Sequence, residues 1–121
     1  MTQKIDFEEV IQKYKNFIFI VEGKKDSKAL RYLGLNRVYE LNEVGTSLSQ
    51  RIENIIENID KKDVVCILTD LDKKGRHLYL IIQKEMQSKG IHLDSSFRNL
   101  LLRLNISHIE GLYSYVMNHR D

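Results

Sequence analysis

The chain has no proline, no internal repeat and no low-complexity stretch, so nothing in it marks a linker. A single domain over residues 1–121 is therefore expected, long enough for one hydrophobic core and too short for two. Its one cysteine, Cys66, cannot close an internal disulfide; within the apolar run Val64 to Leu68 it reads as a buried core thiol. No apolar run reaches the roughly 18 residues that cross a bilayer. The stretch Met1 to Glu9 is polar and acidic, unlike a secretory leader. These absences point to a cytoplasmic protein that does not enter membranes. Charge of one sign is also lacking: the net value is +2, which neither demands nor excludes a nucleic-acid partner. What is present is a soluble globular balance, 42% hydrophobic and 30% charged.

Helix and strand patterns alternate along the chain. Asp6 and Glu9 make a capping-box-like start for a helix with Phe7, Val10, Ile11 and Tyr14 on one face. Phe17 to Val21 is a continuous run of strand formers and predicts a buried strand. Asp26 is placed to cap a short helix carrying Ala29, Leu30 and Leu33 and stopped by Gly34. Arg37 to Leu41 predicts a second strand. Ser47 or Ser49 opens a helix with Leu48, Ile52, Ile55, Ile56 and Ile59 inside. Asp63 to Thr69 predicts another buried strand, followed by a helix from Gly75 to Lys89 that Gly90 ends. Ile91 to Leu93 suits a short fourth strand. Asp94 or Ser95 caps a helix with Phe97, Leu100, Leu101 and Leu104, and a last helix runs near Ile109 to Met117. Such alternation implies an α/β fold with a parallel sheet covered on both faces. Ligands of such sheets bind outside the carboxyl ends of the strands.

Two strand ends there carry acids: the first runs into Glu22-Gly23, the third into Thr69-Asp70-Leu71-Asp72. Asp70 and Asp72 repel each other when both are ionised, and a cation between them relieves the repulsion. Carboxylate oxygens suit Mg²⁺, which takes one or two protein carboxylates and leaves positions for water and phosphate. Glu22 faces the same space if its strand is a neighbour, as a third ligand or a proton-transfer group. Gly23 and Gly75 allow tight turns beside a phosphate. Taken singly, Asp72 reads as a helix cap and Glu22 as a solvated turn acid; the paired motifs read as a site.

Other uses of the Asp-Leu-Asp stretch fit less well. An EF-hand loop would need its bidentate Glu where Ile81 stands. A haloacid-dehalogenase-type phosphatase needs further strand-end acids, and only Glu85, Asp94, Glu110 and Asp121 follow Asp72. No G-x-x-x-x-G-K-[ST] phosphate loop occurs.

The segment Ile20-Val21-Glu22-Gly23-Lys24-Lys25-Asp26 resembles the Glu-Gly strand end of the Toprim family. Ile67-Leu68-Thr69-Asp70-Leu71-Asp72-Lys73-Lys74-Gly75 resembles its D-x-D motif with glycine following. The resemblance covers about residues 17–93, with helices from about 94 to 121 as an extension. It implies a three-layer α/β fold with a parallel sheet of about four strands flanked by helices. It also implies Glu22 as the proton-transfer acid or base, and Asp70 and Asp72 as ligands of Mg²⁺, with Mn²⁺ as an alternative. Toprim domains occur in topoisomerases, bacterial primases and nucleases, among them the ribonuclease that matures 5S ribosomal RNA. Topoisomerases carry a further acid where this chain has Lys74, which speaks against strand passage. Glu-Gly-Lys followed by Asp26 is most similar to the maturase. The implied activity is a metal-dependent endonuclease on structured RNA, favoured over DNA. The alternatives are a binding or regulatory module needing a second copy or a partner protein, and a primase-like nucleotidyl transferase.

Lys24, Lys25, Lys73, Lys74 and Arg76 follow the acids and suit either a phosphate-binding rim or solvated turns. Arg98 in the late helix could reach a phosphate or be an ordinary surface residue. Thr46 and Ser47 could meet a phosphate, with helix capping the plainer role for Ser47. His77 lies near the D-x-D motif, and His92, His108 and His119 lack metal-ligand spacing. Tyr32, Tyr39, Tyr79, Tyr113 and Tyr115 form no stacking platform that can be read from sequence.

Overall fold

In a computed structural model describing residues 5–120, the four strands are β1 (Ile18–Val21), β2 (Val38–Glu40), β3 (Val64–Ile67) and β4 (His92–Leu93). The leading residues from Met1 to Lys4, read as part of a non-secretory start, and Asp121, weighed as a downstream acid, lie outside the described residues. The strands form one parallel sheet in the order β2-β1-β3-β4. Between them run α1 (Phe7–Tyr14), α2 (Lys24–Tyr32), α3 (Leu48–Glu57), α4 (Lys73–Ser88), α5 (Ser96–Arg103) and α6 (Leu112–Asn118), with a 3-10 turn at Ile109–Gly111 before α6. The α/β class, the four parallel strands and the flanking helices are as expected.

Each central strand is buried on both sides, and alternate residues feed two cores. Phe19, Val21, Cys66 and Leu68 pack with Phe7, Leu30, Phe97, Leu112 and Val116, under the layer of α1, α2, α5 and α6. Ile18, Ile20, Val65 and Ile67 pack with Ile52 and Ile55 of α3 and Ile82 and Met86 of α4. Cys66 is fully buried, and the loss of water pushes its thiol up to about 12, so it is inert at neutral pH. The chain leaves β1 for β2 on one side and returns to β3 and β4 on the other. Right-handed crossovers then set α2 on one face and α3 and α4 on the other. The crevice at the carboxyl ends of β1 and β3 is the topological switch point, where such sheets bind ligands.

Local chemistry fixes the element ends. Asp6 accepts from the amides of Glu8 and Glu9, and Ser47, rather than Ser49, accepts from that of Gln50 at 3.1 Å. Gly34 at φ +95 closes α2 with bonds from its own amide to Arg31 and from Leu35 to Leu30, a Schellman motif. Two expected helix starts are corrected. Asp26 is not the cap of α2: the helix begins at Lys24, Gly23 stands at the cap, and Asp26 reaches back to the Gly23 amide at 3.1 Å. α4 begins at Lys73 rather than Gly75, because Asp72 caps it by accepting from the Gly75 amide at 2.8 Å. The last helix divides into the 3-10 turn and α6.

Candidate functional site

Glu22 is the first residue beyond β1 and Asp70 lies in the loop beyond β3. Because these strands are neighbours, the two loops meet. Glu22 Oε2 accepts from the Asp70 amide at 2.8 Å, tying one motif to the other. Asp70 Oδ1 in turn accepts from the Ile109 amide at 3.0 Å, and the Leu71 amide donates to the Ser107 carbonyl at 2.8 Å. Asp72 spends Oδ1 on the Gly75 amide, while its Oδ2 lies 3.5 Å from His108 Nε2. His108 Nδ1 and the Ser107 hydroxyl are 2.8 Å apart.

Each of the three acids thus uses one oxygen on a backbone N–H and keeps a second. Asp70, Asp72 and His108 offer ligand atoms that all lie within 4.8 Å of one another. Two carboxylates and an imidazole, open to solvent on one side, fit a divalent cation that retains open positions. Charge-assisted bonds to backbone amides hold the carboxylates without neutralising them.

Below the site lies Arg98, which is 4% exposed. Its guanidinium donates to the carbonyl of Thr69 at 2.6 Å and to that of Asp70 at 3.1 Å, and lies 4.4 Å from the Tyr79 ring centre. Burial draws its pKa down, while Tyr79, Cys66, Asp70 and Glu22 oppose that shift. Neither expectation for Arg98 stands: it is in the first turn of α5, inside the protein, holding the loop that bears Asp70. Thr69 adds a second tie, its hydroxyl donating to the Gly75 carbonyl at 2.7 Å. Asp26 is 8% exposed, and its carboxyl is raised above the ordinary range, first by burial and then by the nearby charges of Asp70, Glu22 and Glu110, against a lowering bond from Gly23.

Glu22 meets the Asp70 loop through the Asp70 amide, while the group of possible metal ligands is Asp70, Asp72 and His108, without Glu22. Gly23 caps α2; Gly75, in the first turn of α4, is buried with its amide spent on Asp72 and leaves no room beside it for a phosphate, since a Cβ there would stand 1.9 Å from the Asp70 carbonyl oxygen. Lys24 and Lys25 begin α2, Lys73, Lys74 and Arg76 begin α4, and all five are exposed at the same sheet edge. Ser47 is occupied as a cap, and His77 is exposed outside the acidic group. His108, the Ile109 amide and the buried part played by Arg98 were missed. No local pattern announces them, because each acts across the fold on a motif far away in sequence.

The Toprim domain model matches residues 17–100, from the start of β1 into α5. The chain belongs to the Toprim family. A UPF0292 protein of Methanosarcina barkeri is 35% identical over 103 residues, a match covering 82% of this chain and 68% of that protein. A UPF0292 protein of Methanocaldococcus jannaschii is 32% identical over 102 residues, covering 80% and 76%. Among solved structures, a putative protein from Aquifex aeolicus superposes with a TM-score of 0.73 at 29% identity, covering 87% of this chain and 93% of that one. Toprim domains bind divalent metal and act on nucleic acids, so this is a nucleic-acid-processing Toprim module with an acidic group suited to metal. No described helix is long and apolar enough to cross a membrane.

Proposed function

We propose that this Toprim chain is one functional domain and a divalent-metal-dependent phosphodiester enzyme, an endonuclease on structured RNA similar to the 5S ribosomal RNA maturase. The observation that carries the reading is the Glu22 to Asp70 bond at 2.8 Å, which brings the Glu-Gly and D-x-D motifs into one space. Asp70 and Asp72, joined by His108, would hold Mg²⁺ or Mn²⁺. Bound there, the cation supplies charge to neutralise a phosphate under attack. Glu22, tied through Oε2 to the Asp70 amide, keeps its other oxygen for service as the proton acceptor or donor. The Asp70 amide fixes the Glu22 carboxylate, and the Ile109 amide fixes Asp70. Lys24, Lys25, Lys73, Lys74 and Arg76 at the helix starts bind neighbouring phosphates and set the strand's register. Gly23 keeps the backbone open to that strand.

Calorimetric titration of Mg²⁺ and Mn²⁺ into wild type and into the D70N/D72N variant tests the centre, with a short oligonucleotide present because phosphate oxygens complete a Mg²⁺ shell. Wild type is expected to bind and the variant to lose the site. Structured RNAs are then screened for cleavage that Glu22→Gln abolishes. Metal binding without turnover on any RNA or DNA would replace the enzyme reading with that of a binding module.

A further inference from the structure

Beside the acids runs a shallow groove between α2 and the 3-10 turn with α6, lined by Lys25, Lys28, Ala29, Tyr32, Glu110, Gly111, Tyr113 and Ser114. Its two walls start at the site. Lys25 follows Glu22 within the first turn of α2, and Glu110 follows the residue whose amide holds Asp70. At its far end Tyr32 and Tyr113 meet, ring centres 5.3 Å apart at 53°. Tyr32 is 68% exposed, among the largest apolar exposures of the described residues. Lys25 and Lys28 are exposed, and neither is paired with an acid among the described residues.

We infer that this groove takes a single-stranded stretch of the nucleic acid, leading it to the acidic site. Lys25 and Lys28 on successive turns of one helix meet successive phosphates. The tilted tyrosine pair presents an aromatic face on which an unpaired base stacks. Bases stack on aromatic side chains whatever their identity, while a paired duplex keeps its base faces covered. Glu110 stands at the acidic end of the groove, where it repels a phosphate, so the phosphates of the strand keep to the Lys25 and Lys28 wall. Two of the five tyrosines that form no platform in sequence, Tyr32 and Tyr113, meet in the fold because α2 and α6 pack side by side. The inference rests on the nucleic-acid reading of the acidic site and names the form of the substrate: a junction with an unpaired flank.

Fluorescence anisotropy in EDTA, where no cleavage occurs, separates the groove from the catalysis. The probes are a blunt RNA duplex, the same duplex with an eight-nucleotide single-stranded tail, and the DNA equivalents. Wild type is expected to prefer the tailed probe. Tyr32→Ala should weaken tailed binding about tenfold, the loss of a stacked base. Lys28→Ala should lower the salt slope for the tail by about 0.7, one phosphate contact to a single strand. Leu80→Ala, exposed on α4 away from the groove, should change neither. Equal binding of tailed and blunt probes by wild type, or tailed binding by Tyr32→Ala at wild-type strength, overturns the inference. Tyr32-dependent binding without any Glu22-dependent cleavage keeps the groove and sinks the nuclease; cleavage with no preference for a tail does the reverse.

Discussion

A methyl group at position 75 has no room. It would stand 1.9 Å from the carbonyl oxygen and 2.4 Å from the carbonyl carbon of Asp70, both backbone atoms that cannot swing aside. Gly75→Ala must therefore push the Asp70 loop outward. The expected outcome is a loss of about 3 kcal/mol in urea unfolding, at the upper end for overpacking, together with weaker metal binding. Arg98 restrains the same loop from beneath. Arg98→Met leaves the carbonyls of Thr69 and Asp70 without their buried donor, and an unmet carbonyl costs about 1–3 kcal/mol. Arg98→Lys should not restore stability, since an ammonium cannot copy a planar fork that reaches several carbonyls and stacks on Tyr79. Denaturation of the three proteins side by side checks this; full rescue by lysine would show that charge alone matters at that position.

Elements, rather than single residues, aim the acids, and one of them is the 3-10 turn. Its first residue, Ile109, is fully buried and gives its amide to Asp70. Ile109→Ala removes packing and keeps the N–H, whereas Ile109→Pro removes both. Both should be destabilised, but only the proline variant is expected to lose divalent-metal affinity, by about tenfold for one lost charge-assisted bond of about 1.5 kcal/mol or more. Equal affinities would show that the turn does not position Asp70. The same turn marks the boundary of what sequence could supply. β1 and β3 were legible because both lie in the middle of the sheet and must be apolar on both faces. Asp6, Ser47, Gly34 and Gly90 were legible because caps act within a few residues. The start of α4 was placed two residues late, although Asp72 reads as its cap, because Gly75 reads as a turn residue and is in fact the third helical residue, the one whose amide Asp72 meets. His108, Ile109, Arg98 and the Tyr32–Tyr113 pair were not legible. Each owes its place to the packing of α2, α5 and α6 against a distant strand end, which no periodicity encodes.

For the molecule as a whole, the acids at one sheet edge set stability against pH and metal. Asp26 is buried among Glu22, Asp70 and Glu110, and its pKa is raised in the fold. A raised carboxyl pKa favours folding when the group is protonated. That contribution is complete below the unfolded value, near 3.8, and is lost as pH rises through the folded value. Asp26→Asn still accepts from Gly23 and carries no charge, so it should unfold at a higher temperature than wild type at pH 7, with the difference closing near pH 3. A cation at Asp70 and Asp72 acts from the other direction. Binding only the folded state, it stabilises by about 2.7 kcal/mol at a hundred times its dissociation constant. For a domain of this size that is an upward shift of about 10 °C in Tm. Thermal scans in Mg²⁺ or Mn²⁺ at pH 7 should show the shift in wild type and not in D70N/D72N. A metal-induced shift that survives in D70N/D72N would move the cation elsewhere on the surface and leave the acidic edge as a source of repulsion alone.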